Sequence, residues 1–273
     1  MREIIWGYAF GSRTIHPLSN RGYNATGVGR ITYHECYEPL SPPTIYELSL
    51  QGAKDDDPFR WKAEALQRQS LYGYPVFSGV HDDCKNRPSS GIQFGAPLVC
   101  KQIYYEAMPI AWQTTTFCFM ESVGFQDFVR TPSAKKHLIK HLAINPGGFR
   151  NGWDAAVTSV AVASFSALES LHLILTGIWY ARNVDALKSP PSTLRFLPNL
   201  IKQFQRVPLK ADMTTVWVAV YDPVTNAPVM GMPPPQRTFT VERQREVAEH
   251  VKGLLLQYKP RRPTRMTRDL GMS

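Results

Sequence analysis

The chain has 273 residues, of which 43% are hydrophobic and 19% are charged. This balance is typical of globular proteins that bury a sizeable core. No stretch approaches the roughly 18 consecutive apolar residues that a membrane-spanning helix needs, and the first residues lack the apolar run of a secretory signal. We therefore predict a cytoplasmic or nuclear protein without membrane contact, whose four cysteines are free thiols.

The formal net charge of +9 raises the question of nucleic acid as a partner. Much of this charge comes from the C-terminal segment 259–273, which we predict to be a basic disordered tail surrounded by solvent. Its cationic residues are Lys259, Arg261, Arg262, Arg265 and Arg268. Nuclear import and contact with phosphate are the alternative roles of these residues. Nucleic acid is thus an alternative partner but not the favoured one.

The first part of the chain, 1–95, is predicted to be a small mixed region of helix, short strands and a long loop. The apolar pattern of 2–10 predicts the end of a helix, with Ile4, Ile5 and Tyr8 on one side. These three side chains either meet a partner or pack against the strands that follow.

Glycine and proline then punctuate the chain, which favours short strands separated by turns. The predicted strands lie at 14–18, 29–37 and 44–50. Asp57 and Pro58 suit the N-cap and first position of a helix, so we interpret the acidic run before them as a cap and not as a metal loop. The segment 72–94 is predicted to be a long loop.

The segment 98–119, LVCKQIYYEAMPIAWQTTTFCF, predicts a helix that runs almost directly into a strand. Pro97 suits the first position of this helix. Pro109 is expected to kink it or to start a separate short turn. The residues 114–119 are predicted to form a buried strand.

A spaced apolar pattern then recurs, and the second half of each copy alternates like a strand. The copies are Ile139-x-x-Leu142-x-Ile144, Leu168-x-x-Leu171-x-Leu173 and Met213-x-x-Val216-x-Val218, with a weaker one at Thr114-x-x-Phe117-x-Phe119. Helices are predicted between them at 122–130, 153–165 and 198–206. Strands alternating with helices at this spacing indicate parallel strands joined by crossovers.

We therefore predict an α/β fold: an irregular leucine-rich-repeat-like array of parallel strands and helices at 96–258. A helix after Thr240 is predicted to cap the array, with an apolar stripe that includes Val247 and Val251. Independent strand-helix-strand units in a three-layer α/β domain are the alternative.

The helix-strand segment resembles the signature of a large, mostly fungal family of F-box-like, leucine-rich-repeat-like proteins of unassigned function. That family opens with LPxEIRxxIYxYAL and continues with CRQIYxEAxPILY and TFxF. The segments that match it here are 2–9, 14–16, 100–112, 116–119, 125–129, 139–144 and 168–175. The resemblance implies protein–protein recognition, with Ile4, Ile5 and Tyr8 contacting the adaptor of a ubiquitin ligase. It also implies a truncated leader, because Met1 stands where the leader's Leu-Pro-x-Glu would end.

No motif for catalysis or phosphate binding is present: the chain lacks GxxxxGK[ST], GxGxxG and GxSxG. Four side chains have the chemistry of a zinc site, namely His34, Cys36, His81 and Cys84. The two pairs lie far apart, so we predict no metal there. His137 and His141 are four apart, but 138–144 is predicted to be a strand and not a helix, which places His137 at the surface and His141 on the edge face of the sheet.

These observations predict a protein without catalytic, cofactor-binding or metal-binding residues. Its predicted function is that of a non-catalytic protein–protein interaction module, in the form of an F-box-like substrate receptor or a scaffold. A nucleic-acid-associated or nuclear protein acting through the basic tail is the alternative. An enzyme of unrecognised type is the second alternative.

Overall fold

The structure of the protein is a computed structural model that describes residues 4–6, 11, 13–20, 27, 29–36, 101–146, 152–178, 196–221 and 241–260. Several predicted features lie outside the described residues. They are Tyr8, the strand at 44–50, the helix cap at Asp57 and Pro58, the loop at 72–94, His81, Cys84, Pro97, Thr240, Arg261, Arg262, Arg265 and Arg268.

Six strands form one sheet in the order β2-β1-β3-β4-β5-β6. They are β1 (Thr14–Ser19), β2 (Ile31–Glu35), β3 (Thr116–Phe119), β4 (His141–Ile144), β5 (Ser170–Ile178) and β6 (Thr215–Tyr221). β2 runs antiparallel to β1, and the other neighbouring pairs are parallel. The predicted α/β class is confirmed, and strands from both 1–95 and 96–258 share the sheet.

The register of the parallel strands follows the repeated apolar pattern. Leu142 lies opposite both Phe117 and Leu171, so equivalent residues of three copies are cross-strand neighbours. The last copy is shifted by two residues, since Val216 lies opposite Leu173 and not opposite Leu171. A shift of two keeps every side chain on its own face of the strand, and the apolar face is therefore preserved.

The described helices of the second part are separated by these strands. They are α1 (Lys101–Thr114), α2 (Ser122–Arg130), α3 (Trp153–Ala156), α4 (Ser159–Ala163), α5 (Phe196–Phe204) and α6 (Val241–Leu255), with a short 3-10 helix at Lys136–Leu138. The bounds of α2 are those predicted. None of the described helices is long and apolar enough to cross a membrane.

Two helices differ from prediction for local reasons. The segment 153–165 forms α3 and α4 instead of one helix, because Thr158 acts as an N-cap and its Oγ1 accepts a hydrogen bond from the Ala161 amide at 3.1 Å. At Pro109, the expected separate turn does not occur, because α1 continues through it. The carbonyl left without a donor there belongs to Tyr105, which lies on the exposed side of the helix.

The described helices pack on one face of the sheet and form a single buried core with it. The sheet residues of this core are Phe117, Phe119, Leu142, Ile144, Leu171, Leu173, Leu175, Val216 and Val218. Each of α1 to α6 contributes buried apolar residues to the same cluster. Phe128 of α2 lies at its aromatic centre, in contact with the rings of Trp112, Phe117, Phe119 and Phe165.

The last helix, α6, packs against the edge strand β6 and against α5. Its buried stripe is Val247, Ala248, Val251 and Leu255. This is the apolar stripe that the sequence predicts for a capping helix, and it covers the core at the β6 edge.

The helix α2 approaches β1 closely enough to require a glycine. A Cβ atom at Gly124 would lie 3.1 Å from the backbone carbonyl oxygen of Pro17. One turn later, the Ser19 hydroxyl donates a hydrogen bond to the buried Asp127 carboxylate at 2.5 Å. Together these contacts fix the helix layer to the first strand.

We expect Gly124→Ala to lower the free energy of unfolding by about 1–2 kcal/mol, because a backbone oxygen cannot move aside as a flexible side chain would. Gly253→Ala is the matched control, since Gly253 lies in α6 and nothing surrounds its Cβ position within 4 Å. That change should raise stability by about 0.5–1 kcal/mol through helix propensity. Urea denaturation of both variants measures the difference. Equal stabilisation by the two substitutions would contradict the close packing of α2 on β1.

Candidate functional site

The two predicted adaptor-contact residues that the structure describes are both exposed. Ile4 is 69% and Ile5 is 54% exposed, and both belong to the helical residues 4–6. Neither side chain is buried against the strands that follow.

A hydrogen bond attaches this helical turn to α1. The indole Nε1 of Trp6 donates to Oε2 of Glu106 at 3.4 Å. The other oxygen, Oε1, accepts from Nε2 of Gln102 at 3.0 Å, one turn earlier in the same helix. Glu106 thus accepts a hydrogen bond at each of its oxygens, and one of these bonds links the helical residues 4–6 to α1.

A third large side chain is exposed next to this junction. Tyr105 precedes Glu106 and is 73% exposed, while its neighbour Tyr104 packs against the core and touches the Tyr105 ring edge-on at 5.5 Å. We call Ile4, Ile5 and Tyr105 the N-terminal apolar surface. The sequence analysis missed Tyr105, although its position on α1 opposite the buried Ala107 could have indicated it.

The face of the sheet opposite the helices carries polar residues and histidines. His16 lies opposite His34, His141 opposite Ser170, and Ala143 opposite His172. The buried apolar cluster on this face consists of Cys118, Met120 and Ala143, and contains no residue from a helix. Among the described residues, the two faces of the sheet therefore differ in chemistry.

Two histidines on this face are paired with hydroxyl groups across neighbouring strands. His141 Nδ1 lies 2.8 Å from Ser170 Oγ, and His172 Nδ1 lies 2.7 Å from Thr215 Oγ1. The His172 ring also stacks on Trp217, with centroids 5.9 Å apart and an interplanar angle of 9°. Ser170 is fully buried, so its hydroxyl is out of reach of a substrate. These pairs serve to satisfy polar groups within the sheet.

Burial keeps both imidazoles neutral at physiological pH. It lowers the pKa of His172 to about 4, and the neighbouring His141 lowers it further. Burial also lowers the pKa of His141, against the opposing attraction of Glu169. A charged ring at His172 would lose hydration that its hydroxyl partner does not replace.

The structure does not assemble the candidate zinc residues that it describes. His34 is buried, with Nε2 at 3.1 Å from Thr32 Oγ1, and Cys36 is half-buried. Among the described residues, no three His, Cys, Asp or Glu side chains are placed to hold a metal ion. His137, in the short 3-10 helix, is exposed and separate from His141.

Of the predicted basic tail, the structure describes its beginning. Lys259 is exposed, and its amide donates to the carbonyl oxygen of Gln205 at 2.7 Å. The tail therefore starts at a fixed point beside the end of α5.

Comparisons of the chain with models of protein families, with curated proteins and with solved structures find no match. What the chain does must therefore be argued from its own residues and their geometry.

The His172 environment makes stability depend on pH. Because the folded pKa of about 4 lies below the ordinary 6.5, the unfolded chain binds the proton more readily between these values. The contribution of His172 to the free energy of unfolding is therefore fully present above pH 6.5. It falls as the pH drops toward 4, by up to about 2 kcal/mol at pH 5. Urea denaturation at pH 7 and pH 5 measures this loss.

His172→Gln should reduce the loss between the two pH values, since the titrating group is gone. His137→Gln is the control, and it should behave as the unaltered chain does. An unchanged loss in His172→Gln would contradict the assignment of this titration to His172.

Proposed function

We propose that the protein is a non-catalytic protein–protein interaction module that meets its partner through the N-terminal apolar surface. The observation that carries this proposal is the exposure of Ile4 and Ile5 on a turn that Trp6 holds against α1. Burying an exposed isoleucine side chain is worth about 1.5–3 kcal/mol. A partner that covers both residues and Tyr105 gains this free energy without first having to order the junction with α1.

The specific partner we propose is the adaptor of a cullin-type ubiquitin ligase, which would make the protein an F-box-like substrate receptor. The support is the resemblance of residues 2–9 to the leader of F-box-like proteins. A stable interface buries about 800 Å² on each partner, so the three side chains would form the apolar centre of a larger contact. Aromatic side chains such as Tyr105 are frequent at such centres.

We also propose that the parallel part of the fold is a leucine-rich-repeat-like array that acts as the scaffold. Three features support this interpretation: the mostly parallel sheet, the helices gathered on one face, and the cross-strand register of the apolar pattern. In such arrays each unit buries its apolar side against the next. The client would bind at segments that connect the ends of the strands.

The adaptor proposal is tested by calorimetric titration of the protein with purified adaptor. The double variant Ile4→Glu/Ile5→Glu should weaken binding at least about 100-fold, because two charges would enter an apolar contact. Val160→Glu is the matched control, since Val160 is an exposed aliphatic residue on α4. That variant should bind as the unaltered protein does. No binding by the unaltered protein, or equal binding by the double variant, would reject the adaptor as the partner.

The wider proposal is tested by comparing the proteins captured by the same three forms. A protein held by the unaltered chain and by Val160→Glu, but lost from the double variant, supports recognition through this surface. If the three forms capture identical sets of proteins, the N-terminal apolar surface is not the binding site.

A further inference from the structure

A charged bridge lies at the edge of the sheet where the parallel strands begin. The Lys140 Nζ lies 2.9 Å from Glu169 Oε1, and the Lys210 Nζ binds the other oxygen of the same carboxylate. The backbone repeats the connection, since the Glu169 amide donates to the Lys140 carbonyl at 2.9 Å and the Lys210 amide donates to the Glu169 carbonyl at 2.8 Å. The bridge thus spans the starts of three neighbouring segments of the sheet.

This bridge is not neutral. Hydrogen bonds from Lys210 and Lys140 lower the pKa of Glu169 to about 2, so the carboxylate is ionised at neutral pH and balances only one of the two lysines. Both ammonium groups remain accessible to solvent. One positive charge is therefore left over at this edge.

The end of α5 and the chain after α6 extend the positive charge from this bridge. Gln205 Nε2 donates to the Leu254 carbonyl at 2.8 Å, and the Gln205 carbonyl accepts from the Lys259 amide at 2.7 Å. Arg206 follows Gln205, and the chain runs from it through a turn to Lys210. We call Lys140, Arg206, Lys210 and Lys259 the basic edge.

Among the residues that the structure describes at this edge, the acidic ones are fewer than the basic ones. Besides Glu169, the exposed Asp212 lies two residues after Lys210. Four cations against these two carboxylates leave an excess of two positive charges. The arginines predicted in the tail follow Pro260 directly in the sequence, so the tail begins beside the basic edge.

An exposed aromatic ring adjoins these cations. Tyr258 precedes Lys259 and is 51% exposed, although an aromatic ring of this size usually gains from burial. Cations that follow a phosphate backbone, combined with a ring on which a base can stack, are the combination by which proteins bind single-stranded nucleic acids. An acidic peptide would use the cations but would have no need of the ring.

We propose that the basic edge binds the phosphate backbone of a single-stranded nucleic acid, with Tyr258 stacking on a base. This site shares no residue with the N-terminal apolar surface, so rejecting one of the two proposals leaves the other unaffected. Recognition is independent of sequence, because the contacts involve phosphates and the face of any base.

The test is fluorescence anisotropy of the full chain with labelled 20-nucleotide oligo-dT and oligo-rU between 50 and 200 mM NaCl. Lys210→Gln should weaken binding and reduce the slope of log K against log salt by roughly 0.7. Glu169→Gln should do the opposite, since it releases both lysines: tighter binding by about 2- to 5-fold and a steeper slope. Lys101→Gln, at the start of α1, is the control and should change neither quantity.

Tyr258→Ala should weaken binding about tenfold at every salt concentration without changing the slope, because stacking releases no counterions. Tyr258→Phe should retain the affinity, since the ring is kept. A urea midpoint equal to that of the unaltered chain shows that each variant is folded.

Three results would overturn the proposal. One is the absence of binding at 50 mM salt. Another is an identical effect of Lys210→Gln, Glu169→Gln and Lys101→Gln, which would leave the basic edge without a role. The third is tighter binding of a polyglutamate peptide than of either oligonucleotide with no effect of Tyr258→Ala, which would identify an acidic protein segment as the ligand.

Discussion

The register of the parallel strands is the constraint on which the rest of the described structure depends. Successive side chains of a strand point to opposite faces, so one register decides the chemistry of both faces at once. Leu142 between Phe117 and Leu171 aligns the apolar residues under the helices. The register of β4 and β5 places His141 opposite Ser170 on the other face, and the separate register of β5 and β6 places His172 opposite Thr215 there. A slip of one residue would bury the histidines among phenylalanines.

The strand register also produces the polar face. Burying its polar side chains costs hydration free energy, which their hydrogen bonds offset. Burying an imidazole without a hydrogen-bond partner is unfavourable, because the lost hydration is not replaced. The pairing of His141 and His172 with hydroxyls of the next strand restores one hydrogen bond each, and Trp217 covers the ring of His172. The same burial lowers the pKa of His172, because the charged ring would lose its hydration. We therefore expect the free energy of unfolding to fall in acid through this part of the sheet.

The elements of the parallel part could be predicted from the sequence because their signals are local. The amphipathic period marks α2 to the residue, and the alternating apolar pattern marks the four strands that follow α1. Interactions between distant segments left no such signal. The shift that places Val216 opposite Leu173 depends on how a long connection closes, and no pattern in either strand fixes it. The split between α3 and α4 was visible in principle, since Thr158 is a good N-cap.

The candidate surfaces, too, could be predicted where the signal is local and could not where contacts join distant segments. The exposure of Ile4 and Ile5 could be anticipated from the resemblance to F-box leaders. The exposure of Tyr105 could be anticipated from its position on α1 opposite Ala107. Its link to the N-terminal turn could not, because this link depends on the hydrogen bond from Trp6 to Glu106 across a hundred residues of chain. The ion pairs of Glu169 could not be predicted from the sequence for the same reason, since the two lysines precede different strands.

Net charge alone is a weak guide to the partner of this protein, and the geometry shows why. Summed over the chain, the charge of +9 does not distinguish scattered lysines from a continuous track. Gln205 supplies the missing information: its side-chain amide donates a hydrogen bond to the Leu254 carbonyl of α6, and its backbone carbonyl accepts one from the Lys259 amide after that helix. These two bonds bring Lys259 to the end of α5, where Arg206 follows Gln205. A neutral glutamine with two backbone contacts therefore brings two cationic segments of the described chain together.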